Sequence, residues 1–246
     1  MPATHASPFP ATQWTLLVNR CRSMDPGDRK QALETLCRDY WYPLYAFARR
    51  QGSGREDAED LTQGFLSYLL ERELFASASQ ELGKMRTFLL TIFQRYIGDV
   101  RTRDRAQKRG GGQAVLSLDL REGEGRYVNE PADTVTPEAL YDRSWAMSLL
   151  DAALNDLGEN EARAGRGRHF TVLEPFLNAA AVAEGSYEKV SSELGLSEEA
   201  ARKAVSRLRQ KFRECLRKQI AATLHQPDEA QVDEELASLR AALRGG

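Results

Sequence analysis

Apolar side chains along this chain recur mostly three and four residues apart, the spacing that places them on one face of an α-helix. The pattern is clearest in 55–73, where Ala58, Leu61, Phe65 and Leu69 fall on a single face. No segment shows the alternation of polar and apolar residues that is typical of a series of strands. The chain is therefore predicted to be all-α.

Turn and capping residues indicate where the helices begin and end. Thr136-Pro137-Glu138 offers a hydroxyl cap, a proline in the first turn and a carboxylate near the positive helix end, so a helix is predicted from here to Leu157. Pro43 is expected to kink or restart the second helix, because proline removes an internal hydrogen bond. Predicted helices begin near Thr12 and Asp28 and occupy 55–73, 85–105, 136–157, 169–183 and 187–220, with a short amphipathic helix near the end of the chain.

A change in composition divides the chain. Gly110-Gly111-Gly112 is expected to end the fourth helix, and the residues after it are rich in glycine and acidic groups with few large apolar side chains. We therefore predict two helical domains, at 1–110 and 136–226, joined by a flexible linker at 111–135 and followed by an acidic tail at 227–246.

Composition narrows the classes of function. The 246 residues contain no apolar run long enough to cross a bilayer and no basic segment leading into an apolar one at the N-terminus, so a cytoplasmic location without membrane association is expected. The three cysteines form no CxxC pair and have no nearby histidine, which argues against a zinc site. With three histidines and no phosphate-binding glycine loop, neither catalysis nor a cofactor or metal is expected.

The net charge of −2 conceals two strongly basic segments. Residues 84–109 contain eight basic and two acidic side chains, and residues 202–218 contain eight basic and one acidic. Compensating acidic groups lie elsewhere, in part at 228–246, where five acidic and two basic residues occur. A chain of this kind could hold DNA at two places. The acidic tail could lie against a basic DNA-binding surface and lower nonspecific affinity, or it could be a flexible, solvated terminus.

Residues 186–209 have the layout of a helix-turn-helix. Gly195 suits the left-handed conformation at the turn, and Ser197 can cap the second helix. Residues expected to pack inward are Val190, Leu194, Ala201, Val205 and Leu208. Cations on the outer side could read guanine edges and bind phosphates in the major groove. The alternative is a helical hairpin with a solvated basic face.

The fourth helix interleaves aromatic and basic residues. The aromatic residues are Phe88, Phe93 and Tyr96, and the basic ones are Arg86, Arg95, Arg101, Arg103 and Arg105. Such a mixture could stack unpaired bases and neutralise their backbone. Aromatic residues at helical spacing also pack inward, so Phe88 and Phe93 could instead belong to the core.

Read in order, these segments resemble the extracytoplasmic-function (ECF) sigma factors of bacterial RNA polymerase. The strongest match is Asp57-Ala58-Glu59-Asp60-Leu61-Thr62-Gln63, which is similar to the family's signature on the helix that docks on polymerase. It follows Tyr42–Arg50, similar to the start of the family's region 2, and precedes Arg86-Thr87-Phe88-Leu89 and Asp99, similar to its promoter-melting part. The helix-turn-helix is similar to region 4.

The resemblance implies partners and roles. The partners are core RNA polymerase, through its β′ clamp helices and β flap, and promoter DNA, with an anti-sigma protein as a further candidate. The implied polymerase-binding residues are Asp57, Glu59, Asp60 and Gln63. Those implied at the minus-ten element are Lys84, Arg86, Phe88, Arg95, Tyr96, Arg101 and Arg103, with the loop 77–84 bordering a pocket for a flipped base. Those implied at the minus-thirty-five element are Arg202, Lys203, Ser206, Arg207, Arg209 and Arg213.

The chain departs from the family pattern at three places. Gly64 stands at a position that usually favours helix, Arg95 stands where many members have asparagine, and Ala200-Ala201 replaces a common Thr-Val pair. The runs 11–17 and 105–112 resemble a branch with an N-terminal extension found in planctomycete-like bacteria. The rival interpretation is a stand-alone helix-turn-helix regulator that never binds polymerase. A protein-binding adaptor would leave both basic segments unexplained.

Overall fold

The computed structural model describes residues 23, 25–71, 84–106, 120–128, 135–178, 186–225 and 227–244. Within these ranges the regular elements are helices and no strand is present, which confirms the all-α prediction. The chain divides into two compact units: the first unit comprises Met1–Ser148 with Ala221–Gly246, and the second unit comprises Leu149–Ile220. In the described part of the chain, no helix combines the length and apolar character needed to cross a bilayer.

Three helices form the centre of the first unit: α1 (Pro26–Arg50), α2 (Arg55–Glu71) and α3 (Met85–Ala106). Asp25 caps α1 by accepting a hydrogen bond from the backbone N–H of Gly27 at 2.8 Å. The helix continues through Pro43, so the predicted restart there is wrong. Residues 40–48 are all buried, and their packing holds the helix together where proline removes a bond.

An aromatic core joins these helices. Phe47 of α1 and Phe65 of α2 both contact Phe93 of α3, with ring centroids 6.1 and 4.8 Å apart. Rings at such distances bury a large apolar area and fix the helices against one another. The helix boundaries at Arg55 and Met85 agree with those predicted from the sequence.

The segment predicted as a linker contains a helix, α4 (Leu120–Val128). Glu124 accepts a hydrogen bond from the Tyr45 hydroxyl of α1 and pairs with Arg49, whose Nη2 lies 2.9 Å from its Oε1. Arg49 also lies over the ring of Tyr127, 4.8 Å from its centroid. The segment predicted as a flexible linker is thus helical over these nine residues. Polar and aromatic contacts, rather than large apolar side chains, attach them to α1.

Helix α5 (Pro137–Arg163) begins where the sequence predicts and ends six residues later than Leu157. The Thr136 hydroxyl accepts a hydrogen bond from the N–H of Ala139 at 3.2 Å, which is the expected cap. The boundary between the compact units falls inside α5, between 148 and 149, rather than at the predicted boundary before 136. Tyr141 and Trp145 are buried in the first unit, which accounts for the shift.

The second unit contains the remainder of α5, α6 (Gly167–Leu173), a 3₁₀ turn (Glu174–Leu177), α7 (Ser186–Leu194) and most of α8 (Glu198–Ala222). The helix predicted over 169–183 ends at Leu173, because Pro175 opens the 3₁₀ turn. Gly195 has φ of 65° between α7 and α8, and the Ser197 hydroxyl accepts from the N–H of Ala200 at 3.3 Å. Both features match the predicted helix-turn-helix.

The predicted acidic tail forms α9 (Glu229–Arg244), which belongs to the first unit. Val232, Glu235 and Leu239 are buried, so the alternative of a flexible, solvated terminus is wrong for this helix. The chain enters it after a short antiparallel contact, in which the N–H of Met85 donates to the carbonyl of Thr223 at 3.1 Å. The predicted helix at Thr12, the loop 77–83 and Gly110–Gly112 lie outside the described residues.

Candidate nucleic-acid interface

The orientation of α8 follows from its apolar residues. Ala201, Val205 and Leu208 are buried in the second unit, as predicted from their spacing. The side chains on the opposite face are exposed to solvent: Arg202, Lys203, Ser206 and Arg207. This exposed set, called the α8 cationic face below, agrees with the predicted outer side of the second helix.

The α8 cationic face is only lightly neutralised. Arg202 lies 3.5 Å from Glu198 and Lys203 lies 2.7 Å from Glu199, both one helical turn away. The two cationic side chains are each 65% exposed, and pairs of this kind contribute little to stability in water. Phosphate oxygens can therefore replace these carboxylates at small cost.

Arg209 does not belong to the exposed face. Its Nε and Nη2 donate to the carbonyl oxygen of Phe176 at 3.0 and 2.9 Å, and the side chain is half-buried. It links α8 to the 3₁₀ turn and satisfies a carbonyl group there. Arg213 is exposed, one helical turn beyond Arg209. The structure thus places Arg209, a predicted minus-thirty-five contact, in a link between α8 and the 3₁₀ turn.

Acidic side chains of the same unit form ion pairs with the cations at the start of the first basic segment. Arg86, whose side chain is 15% exposed, hydrogen bonds with Glu235 and with Asp142, whose Oδ1 lies 2.5 Å from Nη1. The Arg86 guanidinium also lies over the Trp145 ring, 4.7 Å from its centroid. Lys84 pairs with Glu235 at 2.9 Å. Neither cation faces solvent freely, in contrast to the prediction of minus-ten contacts.

The aromatic residues of α3 divide between the core and the surface. Phe88 and Phe93 are buried, so the core interpretation holds for both and base stacking by Phe88 is ruled out in this structure. Tyr96 is half-buried against Phe65 and Tyr68, with ring centroids 5.7 and 5.3 Å away. Among the side chains of α3 that the structure describes, the exposed cations are Arg95, Arg101 and Arg103.

Gly64 has a packing role that the sequence pattern did not indicate. A Cβ atom at this position would lie 2.5 Å from the hydroxyl oxygen of Tyr96, closer than any real contact. The glycine therefore allows the Tyr96 ring to lie against α2.

The acidic signature on α2 separates into exposed and engaged groups. Asp57 and Asp60 are exposed and form no ion pair with any residue that the structure describes. Glu59 is half-buried and pairs with Arg55, whose Nε lies 2.9 Å from its Oε1. Gln63 is half-buried, one turn from Asp60. Within the signature, Asp57 and Asp60 are therefore exposed and Gln63 is partly exposed.

Comparisons with protein-family models, with curated protein sequences and with solved structures found no match. Over the described ranges, no group of three or more His, Cys, Asp or Glu side chains is placed to hold a metal ion.

Sequence reasoning missed one polar cluster in the second unit. Glu161 of α5 is buried and accepts from Arg166 Nε and from Lys211 Nζ, each at 2.6 Å. The hydrogen bond from Arg166, aided by Lys211, lowers the pKa of the Glu161 carboxyl to about 2. The cluster fixes α8 to α5 beneath the α8 cationic face. Its members are five and fifty residues apart, so no local pattern identifies it.

Proposed function

We propose that the chain is an ECF-type sigma factor, which binds core RNA polymerase in the cytoplasm and directs promoter-specific initiation of transcription. The observation that carries the proposal is the helix-turn-helix of α7 and α8, with a glycine turn, a serine cap and the α8 cationic face turned to solvent. In this proposal the second unit corresponds to region 4 and α1 to α3 correspond to region 2.

The α8 cationic face has the chemistry needed to bind duplex DNA. A helix presented with its first turns exposed fits the major groove, where arginine can donate two hydrogen bonds to guanine and lysine can bind phosphate. Arg202, Lys203 and Arg207 lie within the first three turns of α8. The carbonyl contact of Arg209 and the Glu161 cluster hold the helix in place from its other side.

The exposed carboxylates of α2 support a second, protein-binding surface. Asp57 and Asp60 are unpaired among the described residues, and carboxylates would repel DNA phosphates. A basic protein surface is their complementary partner. In the proposed function this partner is the polymerase β′ clamp. A regulator that binds only DNA has no use for such a surface.

One observation favours the alternative of a stand-alone DNA-binding regulator. Lys84 and Arg86 are engaged by acidic groups, which leaves fewer cations of the first basic segment for promoter DNA. While acidic groups engage these two cations, the predicted minus-ten residues that remain exposed or partly exposed are Arg95, Tyr96, Arg101 and Arg103. A regulator would need only the second unit.

Transcription with purified components separates the two functions. Full-length protein is added to core RNA polymerase and genomic DNA from the same organism, and the transcripts are sequenced. A sigma factor produces discrete start sites that are absent with core enzyme alone. Duplex binding without co-purification of polymerase, and without new start sites, would support the regulator instead. The Arg207→Ala variant is the matched control, because it should reduce duplex binding in either case.

A further inference from the structure

Two glutamates of helix α9 form ion pairs with Lys84 and Arg86, the cations at the start of α3. Glu234 pairs with Lys84 at 2.7 Å, and Glu235 pairs with both Lys84 and Arg86. Glu235 is 1% exposed, which makes it a buried acceptor for two basic groups. All of these residues belong to the first unit.

Both cations of this cluster are paired without any outside ligand, and the acidic groups are in excess by one. Two cations meet three carboxylates, since Asp142 of α5 also pairs with Arg86. Buried cations require such partners, because the transfer of an unpaired charge from water is highly unfavourable. Phosphate oxygens would satisfy Lys84 and Arg86 in the same way as these carboxylates.

The side chains of α9 near this site differ in burial. Val232 and Leu239 are buried and anchor the helix, whereas Glu234 is 66% exposed. Beyond the ion pairs a cleft of about 320 Å³ separates α9 from α5, lined by Arg86, Trp145, Ser238, Ala241 and Ala242 among others. The small side chains of α9 here leave space beside the arginine rather than filling it.

We propose that α9 is an intramolecular competitor of DNA, whose Glu234 and Glu235 occupy the phosphate-binding cations Lys84 and Arg86 and so lower the affinity of the protein for nonspecific DNA. The inference rests on the proposed function, in which these two cations border promoter DNA. It gives the acidic helix a role that core packing by Val232 and Leu239 does not require.

The test compares duplex binding by full-length protein with and without the two carboxylates. The Glu234→Gln/Glu235→Gln variant keeps the shape of both side chains and removes their charge. Binding is measured by fluorescence anisotropy with a labelled duplex of random sequence, at about 50 mM and about 200 mM salt. At the lower salt, the double variant should bind about tenfold more tightly than wild type. Two freed cations should also steepen the dependence of log affinity on log salt by about one to two counterions.

Three further variants make the result specific. Glu34→Gln/Glu56→Gln removes the same charge from exposed sites on α1 and α2 and should leave affinity within about twofold of wild type. Glu234→Gln alone, at an exposed position that does not endanger folding, should give about threefold tighter binding. Adding Lys84→Ala to the double variant should remove much of its gain in affinity for the duplex. Circular dichroism verifies that helix content is unchanged in each protein.

Equal affinity of the double variant and the control pair would overturn the inference, as would a gain that survives Lys84→Ala. In both cases the loss of DNA binding on Arg207→Ala would still support the proposed function. If wild type and all variants fail to bind duplex at the lower salt, the proposed function fails together with the inference.

Discussion

Gly64 lies in the middle of α2, where glycine lowers helix stability by roughly 1 kcal/mol relative to alanine. The Tyr96 hydroxyl occupies the space where a β-carbon would be. The local preference for a helix-favouring residue and the packing of α3 against α2 therefore conflict at this position. Packing decides the residue at this position.

This conflict predicts coupling between the two positions. In the wild-type background, Gly64→Ala forces the Tyr96 ring to shift and should give no gain in the free energy of unfolding. In the Tyr96→Phe background, where the nearest ring carbon lies 3.6 Å from the new methyl group, it should stabilise the protein by about 1 kcal/mol. Urea denaturation of the four proteins measures the coupling. Additive effects would contradict the role assigned to Tyr96.

We predict different kinds of DNA contact for Arg207 and Arg213. Arg207 lies in the exposed part of α8 expected to enter the groove, so Arg207→Ala should relax preference at one base pair, at about 1 to 3 kcal/mol of discrimination. Arg213 lies nearer the end of α8, so Arg213→Ala should weaken binding to all sequences and reduce the salt dependence by about one counterion.

Binding of full-length protein to duplex libraries at several salt concentrations distinguishes these two behaviours. A uniform loss of affinity with unchanged sequence preference in Arg207→Ala would show that this residue binds phosphate rather than a base.

Local spacing was sufficient for the residues whose partners lie one helical turn away. Ala201 and Val205 face inward as predicted, because their positions on α8 depend only on helical geometry. Arg209 and Arg86 were assigned to DNA, because their partners lie 33 and 149 residues away and no periodicity reveals them. Residue types therefore identify these side chains as cations but do not identify the acceptors that they contact in the folded chain.

At the scale of elements, composition was a weaker guide than periodicity. The start of α5 was predicted from three residues, and the cap is present. Helix α4, in contrast, lies in a segment read as linker because it lacks large apolar residues. Its attachment through Glu124, Arg126 and Tyr127 depends on groups of α1 that precede it by about 75 residues or more, among them Tyr42, whose ring lies 4.2 Å from the Arg126 guanidinium.

The buried carboxylate of Glu161 is one of the polar groups that attach α8 to α5, beside the hydrogen bond from Gln219 to Asp156. Replacing Glu161 by glutamine leaves Arg166 and Lys211 with a neutral acceptor, and should destabilise the second unit by about 2 kcal/mol at neutral pH. This figure lies below that for fully buried pairs because both cations are partly exposed.

The effect of Glu161→Gln should depend on pH in a definite direction. The pKa of this carboxyl is lower in the folded protein, so its contribution is fully present above its ordinary value of 4.5 and is lost as pH falls toward about 2. Thermal unfolding of wild type and variant at neutral and acidic pH should show a difference in Tm that narrows below pH 4.5. A constant difference would show that packing, rather than charge, accounts for the effect.

For the whole molecule, the division into compact units is not marked by any break in the sequence. Both boundaries fall inside continuous helices, α5 and α8, whereas the sequence suggested a boundary at a glycine-rich stretch. Helical periodicity is the same on both sides of each boundary, and only contacts distant in the sequence decide to which unit a turn belongs. Residues 227–246 show the same effect, since α9 joins the unit that contains α3.

Two surfaces with different chemistry predict two separable activities of the intact protein. The Asp60→Ala/Gln63→Ala variant removes an exposed carboxylate and its neighbour one turn away, so co-purification with core RNA polymerase should fall by about tenfold. Its duplex binding and helix content should remain close to wild type, because α2 contributes no cation of the α8 cationic face. Arg207→Ala should show the reverse, with polymerase binding kept and duplex binding reduced. If the α2 variant retained full polymerase binding, the acidic signature would be a solvated helix face, and the regulator that acts through the second unit alone would become the better account of this chain.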